Sequence, residues 1–169
     1  MKKLAVPIIC VLLLGSCSEQ TSPHTFANDY EQSFGWQNVP VIKGNAHSGS
    51  YAEAITPDRE FSATFLASFS QIEPAELLPA VMANVWVYSS KLSQPVSLVL
   101  HVTDPTDGRT IAYKSSDLNP QDANGKWFNL ILAHTLPADI RGNYVCKVYL
   151  WNPNKQNVLA DDFEIVFEK

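Results

Sequence analysis

The chain has 169 residues and carries 12 Lys and Arg against 17 Asp and Glu side chains, which gives a formal net charge of −5. Its acidic balance, with no basic stripe anywhere, argues against binding the phosphate backbone of a nucleic acid, because that interaction needs clustered Lys and Arg. The length is sufficient for one domain with a substantial hydrophobic core.

The N-terminal segment resembles a bacterial lipoprotein signal peptide. Lys2 and Lys3 precede an apolar run over residues 4–14, and two small residues then precede Cys17. This run is shorter than the roughly 20 apolar residues that a permanent transmembrane helix needs. The resemblance implies cleavage before Cys17 and acyl chains, palmitate among them, on its sulfur and new amino group. We therefore predict a signal peptide over residues 1–16 and stable membrane attachment through the lipidated Cys17.

A polar tether is predicted over residues 17–25, because this stretch contains Pro23 and lacks apolar periodicity. Cleavage would remove Lys2 and Lys3 and leave 10 basic and 17 acidic side chains, a formal charge of −7. Ser18 stands where lipoproteins of some diderm bacteria carry the aspartate linked with inner-membrane retention. That resemblance favours the outer membrane as the location of the envelope-anchored protein.

From residue 26 to residue 169 the sequence is typical of one domain built from short β-strands. Apolar and polar residues alternate with period two, and β-branched and aromatic residues are frequent, which is the pattern of half-buried strands. Turn sequences rich in Pro, Gly and Asn separate these segments. The clearest predicted strands cover residues 60–66, 81–88, 96–102, 127–133, 144–151 and 163–167. Only residues 74–78 look helical, so the pattern predicts an all-β antiparallel β-sandwich.

Several short motifs resemble those of the jelly-roll carbohydrate-binding modules, β-sandwiches with a galactose-binding-like fold that are often appended to glycoside hydrolases. The resemblance implies a jelly roll that binds carbohydrate or another extracellular ligand. The motifs are Asn28-Asp29-Tyr30-Glu31 before Gly35-Trp36, Ala46-His47-Ser48-Gly49-Ser50-Tyr51-Ala52, Gly125-Lys126-Trp127, Tyr149-Leu150-Trp151-Asn152 and Asp161-Asp162-Phe163-Glu164-Ile165.

The same resemblance implies a structural Ca²⁺ that ties the first strand to the last. Calcium takes 6–8 oxygen ligands, and a bound cation offsets the repulsion between clustered carboxylates. Asp29 could replace the early glutamate, and this prediction is wrong if residues 28–31 do not meet the closing aspartate. The open alternative is that the closing aspartates cap a strand end while the glutamate is solvated. The implied ligands are Glu31, the carbonyls of Gly44 and His47, Ser48 and Asp161.

Aromatic side chains on two predicted strands form a candidate sugar-binding surface, because flat rings stack on pyranose faces while nearby polar groups bind hydroxyls. Asn84, Trp86 and Tyr88 share one strand face, and Lys147, Tyr149 and Trp151 share another. His101 lies opposite the core-facing positions of its own strand. We expect these residues to bind ligand if the faces form one sheet surface. The alternative is that one aromatic set is core, because a sandwich buries one face of each sheet. Trp36 and Trp127 are expected in the core.

No recognised catalytic motif is present, so we do not expect an enzyme. Cys146 lies in an apolar run and is expected to be a small buried hydrophobe rather than a nucleophile or metal ligand. The sequence therefore predicts a lipid-anchored, non-catalytic β-sandwich that binds carbohydrate or another extracellular ligand. The alternative is a structural or assembly lipoprotein that docks another envelope protein.

Overall fold

The computed structural model describes residues 24–31, 36, 40–72 and 79–168. Within these ranges the chain forms ten strands and two single-turn helices. The strands are β1 His24–Asn28, β2 Val41–Lys43, β3 Tyr51–Ile55, β4 Phe65–Ser68, β5 Ala80–Tyr88, β6 Val96–Thr103, β7 Thr110–Leu118, β8 Trp127–Thr135, β9 Val145–Trp151 and β10 Val158–Glu168. The helices are α1 Phe69–Ile72 and α2 Pro120–Ala123.

Two antiparallel sheets pack face to face, so the predicted all-β sandwich is confirmed. The first sheet has the order β2-β3-β10-β5-β8, and β1 pairs with the second half of β10. The second sheet has the order β4-β9-β6-β7. Strands β5, β6, β8 and β9 supply two long members of each sheet, and each overlaps a strand that alternation in the sequence predicts.

The core lies between the sheets and follows the predicted alternation. On β5, Val81, Ala83, Val85 and Val87 are at most 1% exposed, so the intervening side chains face outward. On β9, Cys146 alternates with outward-facing residues and is completely buried in the same core. Trp36 packs on this core against Phe65 and Phe163, as expected.

The strand predicted over residues 60–66 is only partly correct. Phe61 makes a single bridge with Trp151, and continuous pairing begins at Phe65. Between these two positions, side chains bind backbone N–H groups that regular strand pairing would otherwise use. Ser62 Oγ accepts the N–H of Leu150 at 2.8 Å, and a buried carboxylate accepts the N–H of Ala63. Such side-chain bonds compete with regular pairing, which explains the interruption.

That carboxylate belongs to Glu53, which is fully buried on β3 and was not singled out from the sequence. Its Oε1 accepts a hydrogen bond from Arg59 at 2.7 Å, and its Oε2 accepts one from the Tyr30 hydroxyl at 2.9 Å. Burial raises the pKa of Glu53, against the lowering effect of Arg59 and the other donors. The network joins the turn after β1 to the chain that leads into β4.

Some predictions lie outside the described residues. The signal peptide over residues 1–16, Cys17 and most of the tether precede β1, which begins at His24, two residues before the predicted start of the domain. The helical segment predicted over residues 74–78 also lies outside the described ranges. In the ranges that are described, no helix combines the length and apolarity needed to cross a membrane.

Candidate functional site

The outer face of the second sheet presents rows of side chains that run across the strands. Register places Leu66, Lys147, His101 and Tyr113 side by side in one row, from β4 to β7. The next row contains Tyr149, Val99 and Ser115, and the row beyond it contains Trp151, Ser97 and Asp117. We call this surface the second-sheet face. Its residues come from four strands, so their proximity depends on the sheet.

Aromatic rings form a strip across the second-sheet face. Phe61, which is 45% exposed, meets Tyr149 edge to face with ring centroids 5.4 Å apart. Tyr113, which is 50% exposed, meets the His101 ring at 5.7 Å. Burial, followed by the charge of Tyr113, raises the pKa of Tyr149. The strip spans roughly three strand spacings of about 4.8 Å.

Polar groups border this strip. Trp151 Nε1 donates to Glu60 Oε1 at 2.9 Å, which fixes the indole at one end of the face. His101 Nε2 lies 3.0 Å from Thr110 Oγ1. Burial, followed by the charge of Lys147, lowers the pKa of His101 and favours its neutral form. The face therefore combines exposed ring surfaces with hydrogen-bonding groups.

The outer face of the first sheet carries the other aromatic set. Tyr88 pairs with Trp127, and Trp86 pairs with Asn129, so these side chains point away from the core. The prediction that Trp127 belongs to the core is wrong, because it lies in register with an outward-facing residue of β5. Asn84 donates to Glu164 at 3.0 Å on the same face. We call this surface the first-sheet face.

A turn before β3 covers part of the first-sheet face. The His47 ring stacks on Trp86 with centroids 3.7 Å apart and an interplanar angle of 12°, and its edge meets Trp127 at 5.8 Å. One face of Trp86 is therefore already occupied by protein. The Trp127 ring in turn lies 5.6 Å from Tyr88. These contacts make the aromatic cluster part of the packing around the turn.

Carboxylates from β10 hold this turn in place. Asp161, which is fully buried, accepts the N–H groups of His47 at 2.7 Å and Ser48 at 3.1 Å on Oδ2. Burial raises the pKa of Asp161, against the lowering effect of its N–H donors. Asp162 contacts the same two residues through their side chains, with 2.6 Å to His47 Nδ1 and 2.6 Å to Ser48 Oγ. The two aspartates thus bind both the backbone and the side chains of the turn.

Glu31 holds the other end of the turn. Its Oε1 accepts the N–H groups of Ser50 at 2.5 Å and Tyr51 at 2.6 Å. Gly49 lies between these contacts with φ of +58°, and a Cβ there would stand 2.5 Å from Glu31 Oε1. Glycine is therefore required both for the backbone conformation and for the close approach of the carboxylate.

The predicted calcium ligands are brought together only in part. Glu31 and Asp161 bind two ends of the same turn, and Asp161 also acts electrostatically on Tyr30, so the closing aspartate lies near residues 30 and 31. Both oxygens of Asp161 and one of Glu31, however, accept N–H groups. Within the described ranges no group of three or more His, Cys, Asp or Glu side chains is placed to hold a metal ion. The calcium site therefore stays a prediction.

The predicted sugar-binding residues do not form one surface. Asn84, Trp86 and Tyr88 lie on the first-sheet face, whereas His101, Lys147, Tyr149 and Trp151 lie on the second-sheet face, on the opposite side of the sandwich. Neither set is core, so the alternative that one aromatic set is buried is also wrong. Both sets stay on outer faces because the inward positions of β5 and β9 are filled by aliphatic side chains and Cys146.

Two exposed rings of the second-sheet face, Phe61 and Tyr113, escaped the sequence analysis. Phe61 was assigned to the predicted strand over residues 60–66, and no strand was predicted where β7 lies. The side chains of Ile111, Tyr113 and Ser115 do alternate there with those of Ala112 and Lys114. Lys114, however, stands in register with the core residue Leu100, although its own side chain is exposed. That charged residue at the sheet edge weakens the periodic signal.

No protein-family model matches the chain, and no curated protein sequence matches it either. Solved structures do match it. The CBM22-2 xylan-binding domain of Paenibacillus barcinonensis Xyn10C superimposes with a TM-score of 0.60 at 15% identity, over 84% of this chain and 98% of that one. The C-terminal family 22 carbohydrate-binding module of Clostridium thermocellum Xyn10B gives 0.60 at 15% identity, over 84% and 91%.

A third structure, the CBM35 of Cellvibrio japonicus Abf62, gives a TM-score of 0.52 at 11% identity, over 86% of this chain and 94% of that one. At these identities the likeness concerns the fold alone. The chain therefore has the β-sandwich fold of carbohydrate-binding modules, as the resemblance of its motifs predicted, and these neighbours are binding modules rather than catalytic domains.

Proposed function

We propose that the protein is a lipid-anchored envelope protein whose β-sandwich binds carbohydrate without catalysing a reaction, and that the second-sheet face is the binding surface. The observation that carries this proposal is the aromatic strip of Phe61, Tyr149 and Tyr113. Two of its rings are about half exposed, although large apolar rings gain free energy by burial. Solvent-exposed aromatic rings next to polar side chains can stack on sugar rings while the polar groups bind the sugar hydroxyls.

The first-sheet face is the weaker candidate for the same role. His47 covers one face of Trp86, and Asn84 is bonded to Glu164. A sugar stacking on Trp86 would have to displace His47, which Asp162 also holds. We therefore assign this face to the support of the turn and not to the ligand.

A glycan screen with the full chain, purified from membranes in detergent, tests the proposal. The panel includes xylan, because similar structures include xylan-binding domains. We expect Tyr149→Ala to weaken binding about tenfold or more, the scale of a central aromatic contact. Trp86→Ala is the matched control and should bind like the unaltered chain. Binding to no polysaccharide, or equal binding by both variants, contradicts the proposal.

Membrane attachment has its own test. In this proposal Cys17 carries the lipid, and the absence of aspartate at position 18 directs the protein to the outer membrane. Cys17→Ala should move the protein from the membrane fraction to the soluble fraction, because the lipid supplies the attachment. Retention of Cys17→Ala in the membrane fraction contradicts lipid anchoring at this residue.

Docking of another envelope protein is the second candidate function. It is favoured by two exposed apolar side chains on the first-sheet face, Met82 at 41% and Ile131 at 53% exposed. Ile131→Gln should then release an envelope partner that co-purifies with the unaltered chain. The same variant should leave glycan binding unchanged, so the two candidate functions are tested separately.

A further inference from the structure

The second-sheet face carries a cation, Lys147, in the row that also contains His101 and Tyr113. Lys147 is half-buried on β9, with Leu66 on one side and His101 on the other. Within the described part of the chain, no carboxylate lies within ion-pair distance of its ammonium group. A partly desolvated charge without a counter-charge raises the free energy of the fold unless something compensates it.

The neighbours of Lys147 do not supply that compensation. Burial and the charge of Lys147 lower the pKa of His101 and favour its neutral form. A neutral imidazole can accept or donate a hydrogen bond but cannot balance the charge of Lys147. The carboxylates of this face lie in the row at its far end, where Asp117 accepts from Ser97 at 2.7 Å and Glu60 accepts from Trp151. Lys147 is thus left between Leu66 and His101, in the row next to the one that contains Tyr149.

From this juxtaposition we infer that the ligand is an acidic glycan, whose uronic acid carboxylate pairs with Lys147 while neighbouring sugar rings stack on Tyr149 and Phe61. The inference rests on the proposed function, because it names the substrate class of the same surface. Lys147 Nζ donates to the carboxylate, and the His101 ring and Tyr113 hydroxyl are placed to bond the hydroxyls of the same sugar. No covalent step is involved.

The overall acidity of the protein does not oppose this assignment. The formal charge, −5 for the full sequence and −7 after the predicted cleavage, is distributed over the whole chain. Charges separated by more than about 10 Å are largely screened at ordinary ionic strength. The local contact dominates because a charge-assisted hydrogen bond at a partly buried site is stronger than a neutral one. General acidity should instead disfavour long runs of uronate and favour a glycan with spaced carboxylates.

The test compares an acidic oligosaccharide with its own neutral form. The full chain in detergent is titrated with oligogalacturonate, oligomannuronate and glucuronoxylan fragments, and with the same preparations after chemical reduction of their carboxyl groups. We expect at least one acidic form to bind about tenfold more tightly than its reduced form, the scale of one charge-assisted hydrogen bond. Added salt should narrow that difference, because it screens the ion pair.

Three variants sharpen the test. Lys147→Gln should lower the affinity for the acidic form to that of the reduced form, and Lys147→Arg should restore most of it. Lys114→Gln is the matched control, because Lys114 is exposed on the same sheet but pairs with Leu100, on the opposite side from Lys147. This control should bind both forms like the unaltered chain.

The outcomes separate the two proposals. If reduced glycans bind as tightly as acidic ones, or if Lys147→Gln weakens both forms equally, the acidic-glycan inference is overturned and the proposed function stands. If neither form of any glycan binds, both proposals fail. If the acidic form binds more tightly and Lys147→Gln abolishes only that preference, both are supported.

Discussion

The two outer faces of this sandwich carry similar aromatic residues and use them differently. On the first-sheet face, Trp86 is stacked under His47, and the aspartates of β10 hold the turn that carries His47. On the second-sheet face, Phe61 and Tyr113 remain about half exposed, where they meet the rings of Tyr149 and His101. The difference teaches that aromatic alternation on a strand does not identify a binding surface. What matters is whether another part of the chain already occupies the rings.

This comparison predicts that variants of the first-sheet face alter stability and that variants of the second-sheet face alter binding. The largest effect is expected for Asp161→Ala, which leaves the N–H groups of His47 and Ser48 without their acceptor. We expect a loss of about 3 kcal/mol in the free energy of unfolding, from charged hydrogen bonds of about 1.5–3 kcal/mol each. Thermal or denaturant unfolding measures it.

Asp162→Ala is the control for that experiment, because Asp162 is more exposed and contacts the same turn through side chains only. It should cost less than Asp161→Ala. Equal losses would show that the buried backbone contacts are not what holds the turn. A loss of glycan affinity in Asp161→Ala at temperatures where it is folded would contradict the division between the two faces.

Calcium is the next test of the first-sheet face. If the predicted ligands Glu31, Gly44, His47, Ser48 and Asp161 bind Ca²⁺, free ion at about 100 times its Kd should stabilise the fold by about 2.7 kcal/mol. The midpoint of thermal unfolding should then rise with Ca²⁺ and fall with a chelator. A midpoint that changes with neither Ca²⁺ nor chelator would exclude a stabilising ion. The turn would then be supported by its hydrogen bonds to the carboxylates and by the stacking of His47 on Trp86.

On the second-sheet face, Phe61→Ala should reduce glycan affinity by about tenfold or more with little change in stability. The ring is 45% exposed, so its removal costs little packing, whereas a stacked sugar would lose most of its contact there. Titration calorimetry and thermal unfolding on the same sample measure both quantities. A fall in unfolding midpoint with unchanged affinity would indicate that Phe61 supports the fold instead.

The smallest effect is expected at Cys146, where native protein should show no thiol reaction. Burial raises the pKa of Cys146 to about 12. At pH about 8 the thiolate fraction is then roughly one in ten thousand, against about a quarter for an exposed thiol. A chain with both Cys10→Ala and Cys17→Ala isolates the signal of Cys146, and reaction is expected only in denaturant.

This labelling also tests the register of β9, because a strand that slips by one residue exchanges its two faces. Rapid reaction of Cys146 in the folded protein would place it outside and Lys147 inside. The second-sheet face as described would then not exist.

The free energy of unfolding should also depend on pH through Cys146. The stability that comes from its neutral thiol is fully present below the unfolded pKa of about 8.5 and is lost as pH rises toward 12.

Much of the fold was predictable because period-two alternation reports burial directly. On β5 and β9 every second residue is core, and the sequence shows this without any partner strand. The turn before β3 was predictable from its His-Ser-Gly motif, since Gly49 adopts a φ that glycine tolerates best. The buried Glu53 was not predictable, because a carboxylate among apolar residues reveals nothing of Arg59 or Tyr30 until the chain brings them together.

By itself, the sequence determined the class of fold and the inward faces of the long strands, and it named candidate residues for binding a sugar or a cation. Only the tertiary structure decided which of those residues act together. Alternation is a local property of one strand, whereas a surface is made by strands that are distant in the chain. Trp86 and Tyr149 have the same local pattern of alternation. Trp86 pairs with β10, whose aspartates hold His47 over its ring, whereas Tyr149 pairs with β6 and lies one row from Lys147, which has no ion-pair partner among the described residues.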